Sequence, residues 1–268
     1  LIDLSKAFDN AQCCNILNIL SSNGASQQLL CLIYSFMTGR KHAVESNGYQ
    51  SDLADVDSGV PQGSILGPIL FAFLMSSLKP CHHDTMYIKY ADDLSVITAK
   101  ESQSLQSEID NVSRWCTKYN MKINEKKTKC MLFNNISNDI NPKYRINNTD
   151  IENVDSFKLL GVWFDRNAKW NTNIDAIKNR CMRKIYPIVV LKRSGCDTTI
   201  LWKVFTSFVK SVLTYCYPAW CNCSKQQMNK LLKIEKKFKL IIRSNPPTTT
   251  KCTMENIMQR IVSDKKYC

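Results

Sequence analysis

The chain has 268 residues, 44% of them hydrophobic, with 36 Lys and Arg against 23 Asp and Glu. Such a composition buries at least one sizeable core and excludes a disordered or low-complexity chain. Its longest nearly apolar run, Ile65 to Met75, is broken by Gly67 and Pro68 and falls well short of the ~20 residues of a membrane span, so no membrane partner is expected.

Charge is divided unevenly along the chain. Residues 1–100 carry 6 basic and 9 acidic side chains, and residues 101–268 carry 30 and 14. The later part can therefore offer either a phosphate-neutralising surface or a merely solvated one. At the start, Leu1-Ile2 running straight into Asp3 reads as the middle of a strand, with no basic leader before it, and implies a fragment of a longer polypeptide. Apolar spacing predicts a helix over 11–20, stopped by Asn23-Gly24, and another over 27–37, stopped by Gly39. Asn47-Gly48 between two extended stretches predicts a hairpin, and 59–63 reads as a loop. The run Ile69, Leu70, Phe71, Phe73, Leu74 is apolar nearly all round and predicts a buried helix ending near Leu78, with Gly67 as its N-cap and Pro68 as its first residue.

Alternation of Met86, Ile88 and Tyr90 with Tyr87, Lys89 and Ala91, followed by a strand-like 94–97, places Asp92-Asp93 at the tip of a tight hairpin. A helix over 101–119, a strand over 129–133, a turn-prone boundary at 134–142, a hairpin at Asn147-Asn148 and a strand over 157–164 come next. After Trp170 the pattern is helical, with breaks at Pro187, Gly195, Pro218 and Pro246-Pro247. In 225–243, Met228, Leu231, Ile234, Phe238 and Ile241 share one helical face while Lys230, Lys233 and Lys237 line another. That second face suits phosphates, an anionic surface or plain solvent.

Thirteen cysteines, an odd number without a repeating framework, suggest reduced intracellular thiols, and none of their spacings to histidine matches a zinc site. Asp52, Asp55, Asp57 and Gly59 lack the spacing of a calcium loop. Three other acids stand apart, because Asp3, Asp92 and Asp93 each lie where a strand meets a turn. If the strand of Asp3 runs beside the 86–97 hairpin, the carboxylates converge and require cations. Two Mg²⁺ ions about 3.5–4 Å apart would hold a triphosphate and activate a 3′-hydroxyl for in-line displacement. Taken alone, the Asp-Asp pair reads more readily as a simple hairpin turn.

The ordered strings Leu1-Ile2-Asp3-Leu4-Ser5-Lys6-Ala7-Phe8-Asp9, Gly59-Val60-Pro61-Gln62-Gly63-Ser64-Ile65-Leu66-Gly67-Pro68, Tyr90-Ala91-Asp92-Asp93, Asn124-Glu125-Lys126-Lys127-Thr128 and Phe157-Lys158-Leu159-Leu160-Gly161-Val162 resemble five successive motifs of reverse transcriptases, in wording closest to non-LTR (LINE-type) retrotransposons. The resemblance covers residues 1 to about 165. It implies an α+β fold: a polymerase palm with an antiparallel sheet and packed helices over 1–140, a palm and primer-grip hairpin over 141–168, and a helical, basic, thumb-like region over 169–268, with the fingers largely missing. It further implies that Asp3, Asp92 and Asp93 bind two Mg²⁺ ions, Mn²⁺ being admissible. Phe8 becomes the gate against a ribose 2′-hydroxyl, with ordinary core packing as its alternative. Gln62 and Gly63 contact the incoming nucleotide, Lys127 supplies a proton or a positive charge to the leaving pyrophosphate in competition with Lys122, Lys126 and Lys129, and Leu160 and Gly161 grip the primer. The implied partners are an RNA template, a DNA primer and dNTPs.

Without an upstream fingers segment the chain is expected to bind metal and nucleic acid yet extend a primer poorly. Two readings follow, an RNA-directed DNA polymerase and a nucleic-acid-binding remnant without catalysis. A third, copying RNA into RNA, conflicts with the aromatic ring at Phe8.

Overall fold

A computed structural model describes residues 1–99, 104–133 and 142–242. These form two compact units: 1–99, 104–130 and 142–154 make the first, and 131–133 with 155–242 the second.

In the first unit, β1 (Ile2–Ser5) alternates buried Ile2 and Leu4 with half-exposed Asp3 and Ser5, so its apolar face turns to the core. Helices α1 (Ala7–Asn10), α2 (Cys13–Ser22) and α3 (Gln27–Met37) follow. Of these, α3 has the predicted bounds, opened by Ser26, whose hydroxyl accepts the Leu29 N–H. The preceding helix starts two residues later than the 11–20 reading, because Ala11 and Gln12 are extended and the Ala11 carbonyl accepts the Gly59 N–H. Next come β2 (Arg40–His42) paired with β5 (Ala54–Val56), and β3 (Glu45–Ser46) paired with β4 (Tyr49–Gln50) around Asn47-Gly48, both at positive φ, as the hairpin signal requires.

The apolar helix α4 runs Leu66–Ser76. It corrects the expected start, since Ile65 is the N-cap and Pro68 the third helical residue. First-turn amides have no intrahelical partner, so a proline is tolerated there as well, and the Ser64 hydroxyl takes the Gly67 N–H at 3.0 Å. Nor is this helix buried all round, because Leu66, Ile69 and Phe73 remain exposed while Leu70, Phe71 and Leu74 enter the core. Then β6 (Met86–Tyr90), β7 (Asp93–Ile97), α5 (Ser104–Lys118) and β8 (Lys122–Ile123) complete a four-stranded antiparallel sheet in the order β6-β7-β1-β8. Ile2, Leu4, Ile16, Phe71, Leu74, Leu94 and Val112 make its core. The strand expected over 129–133 shrinks to β9 (Lys129–Cys130), parallel to β12 (Glu152–Asn153). Between them β10 (Arg145–Ile146) and β11 (Thr149–Asp150) form the expected hairpin around Asn147-Asn148. The predicted boundary at 134–142 lies, up to 141, outside the described residues, as do 101–103 of the predicted helix and Pro246-Pro247.

The second unit opens with β13 (Ser156–Leu159) and β14 (Val162–Asp165), an antiparallel hairpin rather than the single strand expected over 157–164. Leu160 and Gly161 both take positive φ and reverse the chain in two residues. Helices α6 (Asn171–Arg183), α7 (Ile185–Arg193) and α8 (Thr198–Val204), a π-helical turn over Phe205–Lys210, and α9 (Ser211–Thr214), α10 (Tyr217–Trp220) and α11 (Lys225–Ile242) follow. The expected break at Pro187 falls instead at Lys184, leaving Pro187 third in α7, where it forfeits no hydrogen bond. Ile174, Leu201, Leu213, Trp220, Leu231 and Phe238 form the core of this unit. Among the described residues no helix is long and apolar enough to cross a membrane.

Candidate active site

Asp3 and Asp93 are direct cross-strand partners in the β1–β7 pair. Antiparallel partners project from the same face with Cα atoms about 4.5–5.5 Å apart, so the two carboxylates share the face opposite buried Ile2, Leu4 and Leu94. Tyr90 pairs with Asp93. The turn of the β6–β7 hairpin is thus Ala91-Asp92, with Ala91 at φ 51°, and Asp93 is the first residue of the strand rather than part of the tip. Desolvation, followed by the negative charges of Asp92 and Asp3, raises the Asp93 pKa above the ordinary carboxylate value. The three acids gather in one neighbourhood, although among the described residues no three His, Cys, Asp or Glu side chains are grouped closely enough to hold a metal ion.

Lys127 brings a cation to this cluster, its Nζ lying 3.8 Å from Asp3 Oδ2. The turn that carries it is fastened on both sides. Asn124 N–H donates to the Asp3 carbonyl at 2.8 Å, and the Lys127 N–H donates to the Asn124 carbonyl at 3.2 Å. On the far side the Glu125 carboxylate accepts Thr149 Oγ1 at 2.6 Å and Asn147 Nδ2 at 3.2 Å, and these bonds hold its pKa below the ordinary value. Of the competing lysines, Lys129 is paired with Glu152 and Lys122 stands in register with Ser5 on β8.

The loop bearing Gln62 and Gly63 is clamped on α1. Val60 N–H donates to the Phe8 carbonyl and Gly59 N–H to the Ala11 carbonyl, both at 2.9 Å, and the Ser58 hydroxyl donates to the Asp9 carbonyl at 2.9 Å. Gly59 sits at φ 87°, where a Cβ would meet Asp9 Cα at 2.9 Å, so glycine is required twice over. Gln62 Nε2 reaches Asp9 Oδ1 at 2.7 Å, both side chains facing solvent. Arg40 ties the loop from behind, donating to the carbonyls of Met37 (2.8 Å), Ser58 (3.2 Å) and Gly59 (2.5 Å). Half-buried Phe8 stacks on Phe71 with centroids 4.4 Å apart and 20° between planes, so core packing and a fixed ring orientation coexist.

In the second unit Leu160 and Gly161 form the β13–β14 turn, while Lys230, Lys233 and Lys237 are exposed on α11 opposite buried Leu231, Ile234 and Phe238. Lys230 is engaged with Asp175 at 3.3 Å. Sequence reasoning missed Arg40, Asp9 and Glu125 as organisers. Asp9 and Glu125 stood inside the quoted motifs, whereas Arg40 acts on backbone carbonyls and leaves no pattern.

Residues 1–164 match the protein family described as reverse transcriptase (RNA-dependent DNA polymerase). Over 253 residues the chain is 26% identical to the RNA-directed DNA polymerase from mobile element jockey of Drosophila funebris, covering 88% of this chain and 27% of that protein. It is 22% identical over 232 residues to the probable RNA-directed DNA polymerase from transposon BS of Drosophila melanogaster, covering 80% and 25%. With a Pol polyprotein from the type-2 retrotransposable element R2DM of the same organism it shares 28% identity over 136 residues, covering 47% and 13%. The chain thus spans about a quarter of the length of the first of these relatives.

Proposed function

The chain belongs to the reverse transcriptase family, and from that premise we propose that it carries the palm and a thumb-like helical region of a non-LTR retrotransposon polymerase that copies RNA into DNA. The observation that carries this reading is the pairing of Asp3 with Asp93 across adjacent strands, with Asp92 beside them and a raised Asp93 pKa. Carboxylates gathered on one face of a sheet repel one another, and hard oxygen donors converging there suit Mg²⁺ or Mn²⁺. Asp3, Asp92 and Asp93 would hold two such ions. When bound, these supply charge neutralisation for a dNTP triphosphate and lower the pKa of the primer 3′-hydroxyl.

The remaining roles fall to the protein's own groups. Lys127 Nζ, 3.8 Å from Asp3 Oδ2, offers a positive charge and a proton to the leaving pyrophosphate oxygen. Gln62, oriented by Asp9, presents a side-chain amide to the incoming nucleotide. The Phe8 ring, pinned on Phe71, occupies the volume of a ribose 2′-hydroxyl and so selects deoxynucleotides. Leu160 and Gly161 hold the primer end, and the exposed lysines of α11 meet phosphates.

A second reading, binding of nucleic acid without catalysis, draws on the 17 basic against 5 acidic side chains in 155–242. One assay separates the two: Mg²⁺-dependent addition of dNTPs to a DNA primer annealed to RNA, wild type beside Asp92→Asn. Outer-shell partners of metal ligands are worth about 10- to 100-fold, so loss of a ligand is expected to lower the rate at least ~100-fold. Equal rates in the two proteins would overturn the catalytic role. Retarded primer–template with no extension by the wild type selects the second reading.

A further inference from the structure

We propose that Tyr215, which lies outside every motif that carries the family resemblance, is a positioning residue that fixes the Leu160-Gly161 turn for contact with a primer terminus. The inference rests on the primer-grip reading of that turn and adds the element that holds it in place.

The turn is intrinsically loose. It joins a ribbon of only two strands, β13 and β14, and its two residues take φ values of 46° and 86°, the first of them a leucine that does not favour the left-handed region. Tyr215 meets it from the helical part of the same unit. Its hydroxyl donates to the Leu160 carbonyl at 2.7 Å, and its ring edge lies 3.1 Å from where a Cβ on Gly161 would stand. Any residue larger than glycine at 161 would press on that ring.

Tyr215 is anchored in its own right. It follows α9, and its carbonyl accepts the indole N–H of Trp220 at 3.0 Å, a residue with 0% exposure in the core. A short rigid path thus runs from the core through the Tyr215 backbone and ring to the turn. Tyr215 itself is 51% exposed and Leu160 44% exposed. A hydrogen bond at such a site exchanges with water and contributes little to global stability, so what it supplies is orientation: the Leu160 carbonyl is held toward the tyrosine and the apolar Leu160 side chain is left available at the surface.

The test uses the full chain with a DNA primer annealed to RNA, carrying 2-aminopurine at the primer 3′ terminus or six nucleotides upstream. Tyr215→Phe keeps the ring and removes only the hydroxyl. One net hydrogen bond corresponds to about 2- to 10-fold in an equilibrium, so the terminal-probe response is expected to weaken by that factor, while the upstream probe, the duplex Kd and the melting temperature stay at wild-type values. A terminal response equal to wild type overturns the inference, as does a parallel loss at both probes or a lowered melting temperature, which marks a general structural role. Absence of any terminal response in the wild type overturns the primer-grip reading itself, and with it the role given to Tyr215.

Discussion

Asp93 illustrates how the proposed chemistry and stability oppose each other within one residue. Its folded pKa is raised by desolvation and by the charges of Asp92 and Asp3, above the ordinary value of 3.8. A carboxyl with a raised folded pKa binds its proton more tightly in the native state. Well below pH 3.8 both states are protonated and nothing is lost, but as pH rises through the folded pKa the native state carries a charge that the unfolded chain tolerates better. Asp93→Asn is therefore expected to stabilise the protein at neutral pH. Solvent screens a half-exposed group, so the gain stays near or below about 0.5 kcal/mol, roughly 1–2 °C in melting temperature. Melting curves of both proteins at pH 7 and pH 3 check this, and a gain that persists undiminished at pH 3 would refute the assigned cause. Alternation over 86–97 placed Asp92 and Asp93 at a hairpin, but Asp3, read as a strand end, lies within β1, where Leu4 and Ser5 continue the strand, and the three acids were legible as one set only through the ordered motifs. Tyr215 and Arg40 were not, since each donates to main-chain carbonyls that no side-chain pattern announces.

Among the elements, the 58–63 loop shows how a motif becomes geometry. It is held by backbone bonds to Phe8 of α1 and to Ala11 just after that helix, by Arg40 through carbonyls, and by a glycine without which the chains could not approach. Gly59→Ala would need both a left-handed backbone for alanine and displacement of Asp9 Cα, which is main chain and cannot yield as a flexible side chain can. A loss of about 1–3 kcal/mol is expected in denaturant unfolding, accompanied by loss of the Gln62–Asp9 contact. Gly63→Ala makes the informative comparison. It shares the positive φ, at 79°, but has open space around the missing Cβ, so only the backbone part of the penalty applies. Equal losses in the two variants would show that the close approach at Gly59 contributes nothing. The hairpin turns containing Asn47-Gly48 and Asn147-Asn148 were foreseen from their residue types, whereas the one at Leu160-Gly161 was hidden: apolar residues run through it without an Asn or Asp, and the whole segment reads as one strand. Similarly, the uniform apolarity of α4 marked a helix but not which side of it is covered, because the exposed residues Leu66, Ile69 and Phe73 are as apolar as the buried ones.

At the scale of the whole chain, the two charge populations fit different tasks. The carboxylates gather on one sheet of the first unit, and the 17 basic side chains of 155–242 belong to the second. Composition made that division visible, but not which lysines are free to meet a polyanion. That depends on local pairing, and here α11 separates its own members. Lys230 is engaged by Asp175 and Lys239 by Glu235, while Lys233 and Lys237 are exposed on the same helix. A lysine that neutralises a phosphate releases condensed counterions and steepens the dependence of log Kd on log salt by ~0.9 per contact, whereas a lysine already paired with a carboxylate exchanges one partner for another and contributes less. Replacing Lys233 and Lys237 together by Ser is therefore expected to flatten the slope by about 2. Lys230→Ser should flatten it by clearly less than one contact, and Asp175→Asn should steepen it by freeing Lys230. Binding of a duplex of fixed length, titrated at several KCl concentrations from low to physiological ionic strength, measures all three slopes. Identical slopes in wild type and the Lys233/Lys237 double variant would mean that the basic face of α11 is solvated surface and that nucleic acid is met elsewhere.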